Sequence, residues 1–211
     1  MSKIVCISDI HNRYNGLVVP DGDILIIAGD WSHAGKEDEC ITFNDWLKDL
    51  LHKHKLYIPG NHEVEFSKRV FFRDLLSEIE NINQRTVTID GLKIYGNSYT
   101  LPGQYTGAYG MTEKEQTWMY TDAPQDVDIL VTHGAPYGIL DKSVYGKHNG
   151  SKALLAYVEK VKPKLHIFGH IHEAYGTDIY SKCKTIFVNA SVVNEKYKLT
   201  NKPIVIPMDN D

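Results

Sequence analysis

Five short apolar runs, each ended by polar ligand-type residues, constrain this chain most. They are Lys3–Ser8 before Asp9-Ile10-His11, Ile24–Ala28 before Gly29-Asp30, Leu56–Pro59 before Gly60-Asn61-His62-Glu63, Asp128–Val131 before Thr132-His133-Gly134, and Leu165–Phe168 before Gly169-His170-Ile171-His172. Runs that are continuous rather than alternating fit strands buried on both faces. In open α/β sheets the carboxyl ends of strands form the ligand-binding edge, so these five clusters are expected to converge.

The segments between the runs supply the other layers. Phe43, Trp46, Leu47 and Leu50 fall at i, i+3, i+4 and i+7, one apolar helical stripe. Ser67 is placed to cap a second helix bearing Phe72, Leu75, Leu76 and Ile79 at the same spacing. Thr86–Ile89 and Leu92–Tyr95 flank Asp90-Gly91, a two-residue hairpin signature. Thr112-Glu113-Lys114-Glu115 has capping-box form, and Ser151 opens a helix with Leu154, Tyr157, Val158 and Val161 on one face, stopped before Pro163. Tyr175–Tyr180, Thr185–Val188 and the tail Pro203–Pro207 read as further strands. The expectation is an α/β fold of two packed sheets with helices outside, in a single domain over residues 1–211, since no repeat, low-complexity tract or linker interrupts it.

Composition narrows the function. A net charge of -4 with no basic block argues against a nucleic-acid polymer as partner, though not against a small phosphorylated one. Three scattered cysteines, Cys6, Cys40 and Cys183, make neither a disulfide framework nor a thiolate site, and Cys6 reads as a core hydrophobe. With no leader and no membrane-length apolar run, the chain is expected to be cytoplasmic.

The chemistry lies in the strand-end residues. Asp9 and His11 are two apart, as are His170 and His172, so each pair can grip one ion from an extended segment. Mixed carboxylate and imidazole donors without thiolate suit manganese, iron, zinc or cobalt better than calcium. Asp30 stands alone between two sets, and a carboxylate can bridge two ions, the usual clamp for displacement at phosphorus. Any one of these motifs is uninformative; five at five strand ends are not. Among the other histidines, His52 and His54 are expected on the surface at a helix end, His166 as structural, and His33 and His148 as candidates to line a pocket. Tyr99, Tyr105, Tyr109 and Tyr137 lie in loops where a nucleobase can stack. Asn189-Ala190-Ser191 matches a glycosylation sequon that a cytosolic chain leaves empty.

Asp9-x-His11, Gly29-Asp30, Gly60-Asn61-His62-Glu63, Thr132-His133-Gly134 and Gly169-His170-x-His172 together resemble the calcineurin-like metallophosphoesterase superfamily. Phe43–Leu47, Pro163–His166, Ile171–Gly176 and Asn189–Ser191 are similar to its metallophosphoesterase-domain-containing branch, whose members act as phosphodiesterases; the stretch from Asn97 to Asp122 matches poorly. The resemblance implies a four-layer α/β/β/α fold and two divalent metals, manganese foremost. Asp9, His11, Asp30 and His172 would bind the first, and Asp30, Asn61, His133 and His170 the second. His62 would protonate the leaving oxygen. Some relatives carry glycine where His170 stands, so two full sites and turnover are implied here. Glu63 is open between orienting His62 and being a solvated loop carboxylate.

The reaction implied is hydrolysis of a small phosphodiester, such as a cyclic nucleotide, by in-line attack of a metal-bridging hydroxide. Trp31-Ser32-His33 after Asp30 lacks the Asp-Arg-Gly of the serine/threonine phosphatases it resembles. The rivals are a phosphomonoesterase on the same site and a non-catalytic scaffold, which would have degraded ligands.

Overall fold

The computed structural model describes residues 1–103 and 107–209. Strands β1 (Ser2–Ile7), β2 (Ile24–Ala28), β3 (His54–Ile58), β4 (Glu80–Asn81) and β11 (Ile204–Met208) make one sheet in the order β11-β1-β2-β3-β4. Strands β5 (Thr86–Ile89), β6 (Leu92–Asn97), β7 (Ile129–Thr132), β8 (Leu165–Phe168), β9 (Gly176–Ile179) and β10 (Ile186–Asn189) make a second, ordered β5-β6-β7-β8-β10-β9. Each sheet is parallel in its middle and antiparallel at β11, β5 and β9.

Burial explains why the runs are continuously apolar. Side chains along a strand alternate between faces, and both faces are covered. Ile4 and Cys6 of β1, Ile24 and Ile26 of β2, and Ile129 and Val131 of β7 point into the core between the sheets. Val5, Ile7, Leu25 and Ile27 face α1 (Glu37–Lys48) through Cys40, Phe43 and Leu47. Leu130, Phe168 and Phe187 face α3 (Glu113–Asp122) and α4 (Lys152–Val161) through Tyr120, Leu154, Tyr157 and Val158. The layers are therefore α/β/β/α, as expected. Among the described residues, no helix is long and apolar enough to cross a membrane.

Local signals read from the sequence mostly hold. Asp90 (φ 50°) and Gly91 (φ 83°) take the left-handed conformations of a tight hairpin turn. The Thr112 capping box forms, with Thr112 Oγ1 accepting from Glu115 N and Glu115 Oε2 accepting from Thr112 N at 2.8 Å. Ser151 caps α4.

Two expectations fail. No single helix carries Phe72 to Ile79. A short α2 (Val64–Lys68) is followed, after an extended Arg69, by a 3₁₀ turn over Val70–Leu75, and Ser67 Oγ donates backward to Val64 O instead of capping. Phe72, Leu76 and Ile79 still reach the same core, so the apolar spacing is satisfied by a wrapped segment. His52 is not a surface residue at a helix end. α1 stops at Lys48, and His52 is buried with Nε2 bonded to Pro20 O at 3.1 Å; burial lowers its pKa, the reverse of a dipole-stabilised imidazolium. His54 opens β3 instead of closing a helix.

Candidate metal centre

Parallel register brings the strand ends level. Ile7 pairs with Ile27, Ala28 with Ile58, and Val131 with Ile167. Between the sheets, Ser8 N donates to Ala190 O at 2.8 Å and Val192 N to Ser8 O at 2.9 Å, so the two carboxyl edges meet. The backbone then bends sharply: Asp9 (φ 54°), His11 (φ 46°), Asp30 (φ 53°) and His170 (φ 69°) are all left-handed. For residues with a Cβ this costs about 1–2 kcal/mol each. The bends are pinned by Asp9 N to Gly29 O (3.0 Å), His11 N to Asp30 O (3.0 Å) and His170 N to Asp9 Oδ2 (3.0 Å). Strain concentrated in this way is typical of functional sites.

One cluster comprises Asp9, His11 and His172, with ligand atoms within 4.8 Å of one another. His11 Nδ1 lies 3.2 Å from Ser32 O, and His172 Nδ1 lies 3.1 Å from Asn194 O. A carbonyl can only accept, so both Nδ1 atoms carry the proton and both Nε2 atoms present lone pairs. Those two Nε2 atoms lie 3.3 Å apart, with Asp9 Oδ1 3.2 Å from His172 Nε2. With both rings neutral, three lone-pair donors face one another, an arrangement that a cation between them would satisfy. Burial pushes His11 down to about 4, against the pull of Asp30 and Asp9. Burial also disfavours charge on His172, but Asp9 overrides it and the pKa rises. The donor set fits a divalent transition ion, and donated Nδ1–H groups are the usual outer support of a ligating imidazole.

A second cluster comprises Asp30, His133 and His170. His133 Nδ1 is 2.8 Å from Ala28 O, again fixing the tautomer, and its Nε2 is 3.2 Å from Asp30 Oδ2 and 3.0 Å from Asn61 Oδ1. Burial opposes charge on His133, yet Asp30 raises its pKa to about 10. Burial and the neighbouring His133 push His170 down to about 4. Asp30 Oδ2 is also 3.8 Å from His11 Nε2, which places this carboxylate between the two clusters. All seven residues expected as metal ligands are thus brought to one place.

His62 sits beside them, its ring edge-on to His11 at 4.6 Å, and joins His11 and Asp30 in a third grouping of ligand atoms. Its backbone N–H donates to Asp30 Oδ1 at 2.8 Å. Its Nδ1 is 3.1 Å from His33 O, so Nε2 is the nitrogen left to exchange a proton.

Residues that the sequence left unassigned hold this arrangement. Glu63 is fully buried, so it is not a solvated loop carboxylate, nor does it bond His62. Its Oε2 accepts from Gly60 N (2.6 Å) and Asp30 N (2.9 Å), and its Oε1 from Ser32 N (3.0 Å) and Ser32 Oγ (2.7 Å). Burial and the Asp30 charge push its pKa up to about 8, and the donated bonds oppose them. Gly60 is needed for proximity more than for turning, because a Cβ there would overlap Asp30 Oδ1 and the His133 ring. Ser191 Oγ donates to Asp9 Oδ2 at 2.7 Å. Asn189 is buried with Nδ2 bonded to Ile171 O, so the sequon is closed to glycosylation.

A cavity of about 600 Å³ opens over the clusters, with Asp30, Asn61, His62, His170 and His172 on its lining. Thr100–Gly103, Glu173, Glu195 and Tyr197 line it further. No lysine or arginine is among its described lining residues. His33 lies beside the site, stacked on His11 at 5.7 Å, whereas His148 is held away by Asp141 at 2.7 Å. His166 is structural, bonded to Thr132 Oγ1 at 2.8 Å. Tyr99, Tyr109 and Tyr137 are not among the described lining residues, and Tyr105 lies outside the described residues. Among the described residues, the tyrosine on the lining is Tyr197, 25 residues past His172 and without any local signal to mark it.

Comparison with known proteins agrees with this geometry. The family model described as calcineurin-like phosphoesterase matches residues 2–174. Metallophosphoesterase domain-containing protein 1 of Homo sapiens is 35% identical over 239 residues, covering 98% of this chain and 71% of that protein. A UPF0046 protein of Caenorhabditis elegans is 36% identical over 219 residues, covering 96% of this chain and 74% of its own. The crystal structure of TT1561 of Thermus thermophilus shares the fold at a TM-score of 0.58 and 15% identity, covering 89% of this chain and 88% of that one. With its family match over residues 2–174 and relatives of this closeness along nearly its whole length, the chain belongs to the calcineurin-like phosphoesterase family.

Proposed function

We propose that this phosphoesterase is a phosphodiesterase of the cytosol that acts on small diesters, cyclic nucleotides among them. The observation that carries the reading is the charge of the cavity. It offers no lysine or arginine among its described lining residues and places two carboxylates beyond Asp30, those of Glu173 and Glu195, on that lining. Beyond the charge that the two metals would offset, a diester brings one negative charge and a monoester up to two, and the second would meet the glutamates without a lysine or arginine beside it. The second charge makes the monoester the poorer fit.

Asp9, His11, Asp30 and His172 are assigned to one divalent ion, and Asp30, Asn61, His133 and His170 to the other, with manganese first among the metals suited to these donors and iron, zinc and cobalt behind it. When bound, such a pair polarises a phosphate and lowers the pKa of water at the site. The protein's part is positioning. Backbone carbonyls of Ala28, Ser32 and Asn194 hold three imidazoles in the ligating tautomer. His62, tied through Nδ1 to His33 O, leaves Nε2 as the exchanging nitrogen, and from the imidazolium form it would give that proton to the leaving oxygen and become neutral. The test is a comparison of kcat/KM on bis(4-nitrophenyl) phosphate and 4-nitrophenyl phosphate with manganese present. A higher value for the diester is expected; an equal or higher value for the monoester would overturn the reading.

A further inference from the structure

The turn that follows β10 is part of the site although it lies beyond the residues matched by the family model. Asn194 O accepts from His172 Nδ1 and from Tyr197 N, and Asn194 Oδ1 accepts from the backbone N–H groups of Lys196 and Lys198. The turn is closed by Asn194 N to Lys198 O at 2.9 Å. It forces Tyr197 into the left-handed region (φ 56°), where a bulky residue is a genuine outlier. The strain places the phenol ring against three imidazoles at once: 4.8 Å from His11, 5.2 Å from His172 and 6.2 Å from His62, all edge-to-face or nearly so. The residue is still 38% exposed, and it shares the cavity with Leu101 and Pro102.

Packing alone does not account for this placement. A residue that only filled space would be covered, and strain of this kind persists where a side chain is held for use. The ring is nearer His11 and His172 than His62, hence displaced from the side where the leaving oxygen would depart. We propose that Tyr197 is a specificity-determining residue whose ring packs on the ester group retained on phosphorus, selecting a flat aromatic or heteroaromatic group over a small alkyl one. The inference rests on the phosphodiesterase reading and adds the shape of the group that the cavity favours. Glu173 and Glu195 on the same lining would accept hydrogen bonds from amino or hydroxyl donors on that group.

Two diesters sharing a leaving group isolate the effect: phenyl 4-nitrophenyl phosphate and methyl 4-nitrophenyl phosphate, assayed on the manganese-loaded full chain. The wild type is expected to prefer the phenyl ester. In Tyr197→Ala the phenyl-over-methyl ratio of kcat/KM should fall about 10-fold, mostly through KM, in line with removal of one stacking aromatic. Tyr197→Phe should keep the preference. Competition by phenyl phosphate should weaken relative to competition by inorganic phosphate in the alanine variant. Tyr197→Leu, which retains bulk without a flat face, should behave as alanine does and covers the case in which alanine fails to fold. An unchanged ratio in alanine and leucine variants would overturn the assignment, and so would a loss in Tyr197→Phe equal to that in alanine, which would place the role on the hydroxyl. If the wild type hydrolysed neither diester, the phosphodiesterase reading would itself fall; hydrolysis of both with an unaltered ratio removes Tyr197 alone.

Discussion

Glu63→Gln is the sharpest test of what holds the strand ends together. The carboxylate receives four donors, two on each oxygen, from Gly60, Asp30 and Ser32. Glutamine has the same shape but must put an amide nitrogen at one of the two oxygen positions. At the Oε2 position that nitrogen would confront two backbone N–H groups, those of Asp30 and Gly60. At Oε1 it confronts only Ser32 N–H, because the Ser32 hydroxyl can rotate to accept. The less costly placement therefore orphans one buried donor whatever the protonation state of Glu63, at about 1–3 kcal/mol. For a chain of this length, a loss of about 2 kcal/mol lowers Tm by about 4–8 °C.

Thermal unfolding with a chelator present would measure this without a contribution from bound metal, and urea unfolding at constant m would corroborate it. A solvated loop glutamate changed to glutamine would move stability by no more than about 0.5 kcal/mol. If Tm in Glu63→Gln stayed within about 1 °C of wild type, the four-donor arrangement would not be a structural tie and the argument would fail.

His62→Ala should lower the rate on an unactivated nucleotide diester by roughly 10²–10⁴, and on a nitrophenyl diester by much less, because nitrophenolate leaves without protonation; equal losses on both would remove the acid role. Stripping metal from the protein should abolish turnover, and restoring manganese at about 100 times its Kd should raise stability by about 2.7 kcal/mol per occupied site, read as an increase in Tm; inductively coupled plasma analysis finding no more than about one ion per chain after reconstitution would contradict the two-site assignment. Acid stability should depend on His166, whose pKa burial pushes down to about 3. Below the unfolded value of about 6.5 the unfolded chain takes up a proton that the folded chain refuses, so His166 lowers stability by about 1.4 kcal/mol per pH unit as pH falls. His166→Gln should flatten the denaturation slope between about pH 6.5 and 4.5 by that amount, and an unchanged slope would show that His166 titrates normally in the fold.

The site was legible in the sequence where its information is local. A strand buried on both faces announces itself by composition, and a ligand set at its end lies within four residues of it, so Asp9, His11, Asp30, Asn61, His62, His133, His170 and His172 could all be found without knowing how the sheets pack. The hairpin at Asp90-Gly91 and the cap at Thr112 were visible for the same reason. The segment from Ser67 to Ile79 failed differently. Apolar residues at i, i+3 and i+4 suit an α-helix, but they also suit a short helix, an extended residue and a 3₁₀ turn wrapped over one sheet.

The remaining misses share one cause: the decisive partner is a backbone atom far away in sequence, and backbone atoms are the same in every residue. Glu63 is fixed by N–H groups of its own loop and of the loop after β2, His52 by the carbonyl of Pro20, and His172 by the carbonyl of Asn194. No residue type at position 20 or 194 announces such a carbonyl, because it comes into place only when the fold closes. Tyr197 belongs with them, since its place at the cavity follows from the turn that presents the Asn194 carbonyl to His172. That turn therefore joins two tasks, holding the His172 imidazole in its tautomer and setting an aromatic ring on the cavity lining. A change that loosened it, such as loss of the Asn194 side-chain bonds to Lys196 and Lys198, would disturb metal affinity and substrate preference together, whereas a change confined to the Tyr197 ring would disturb preference alone.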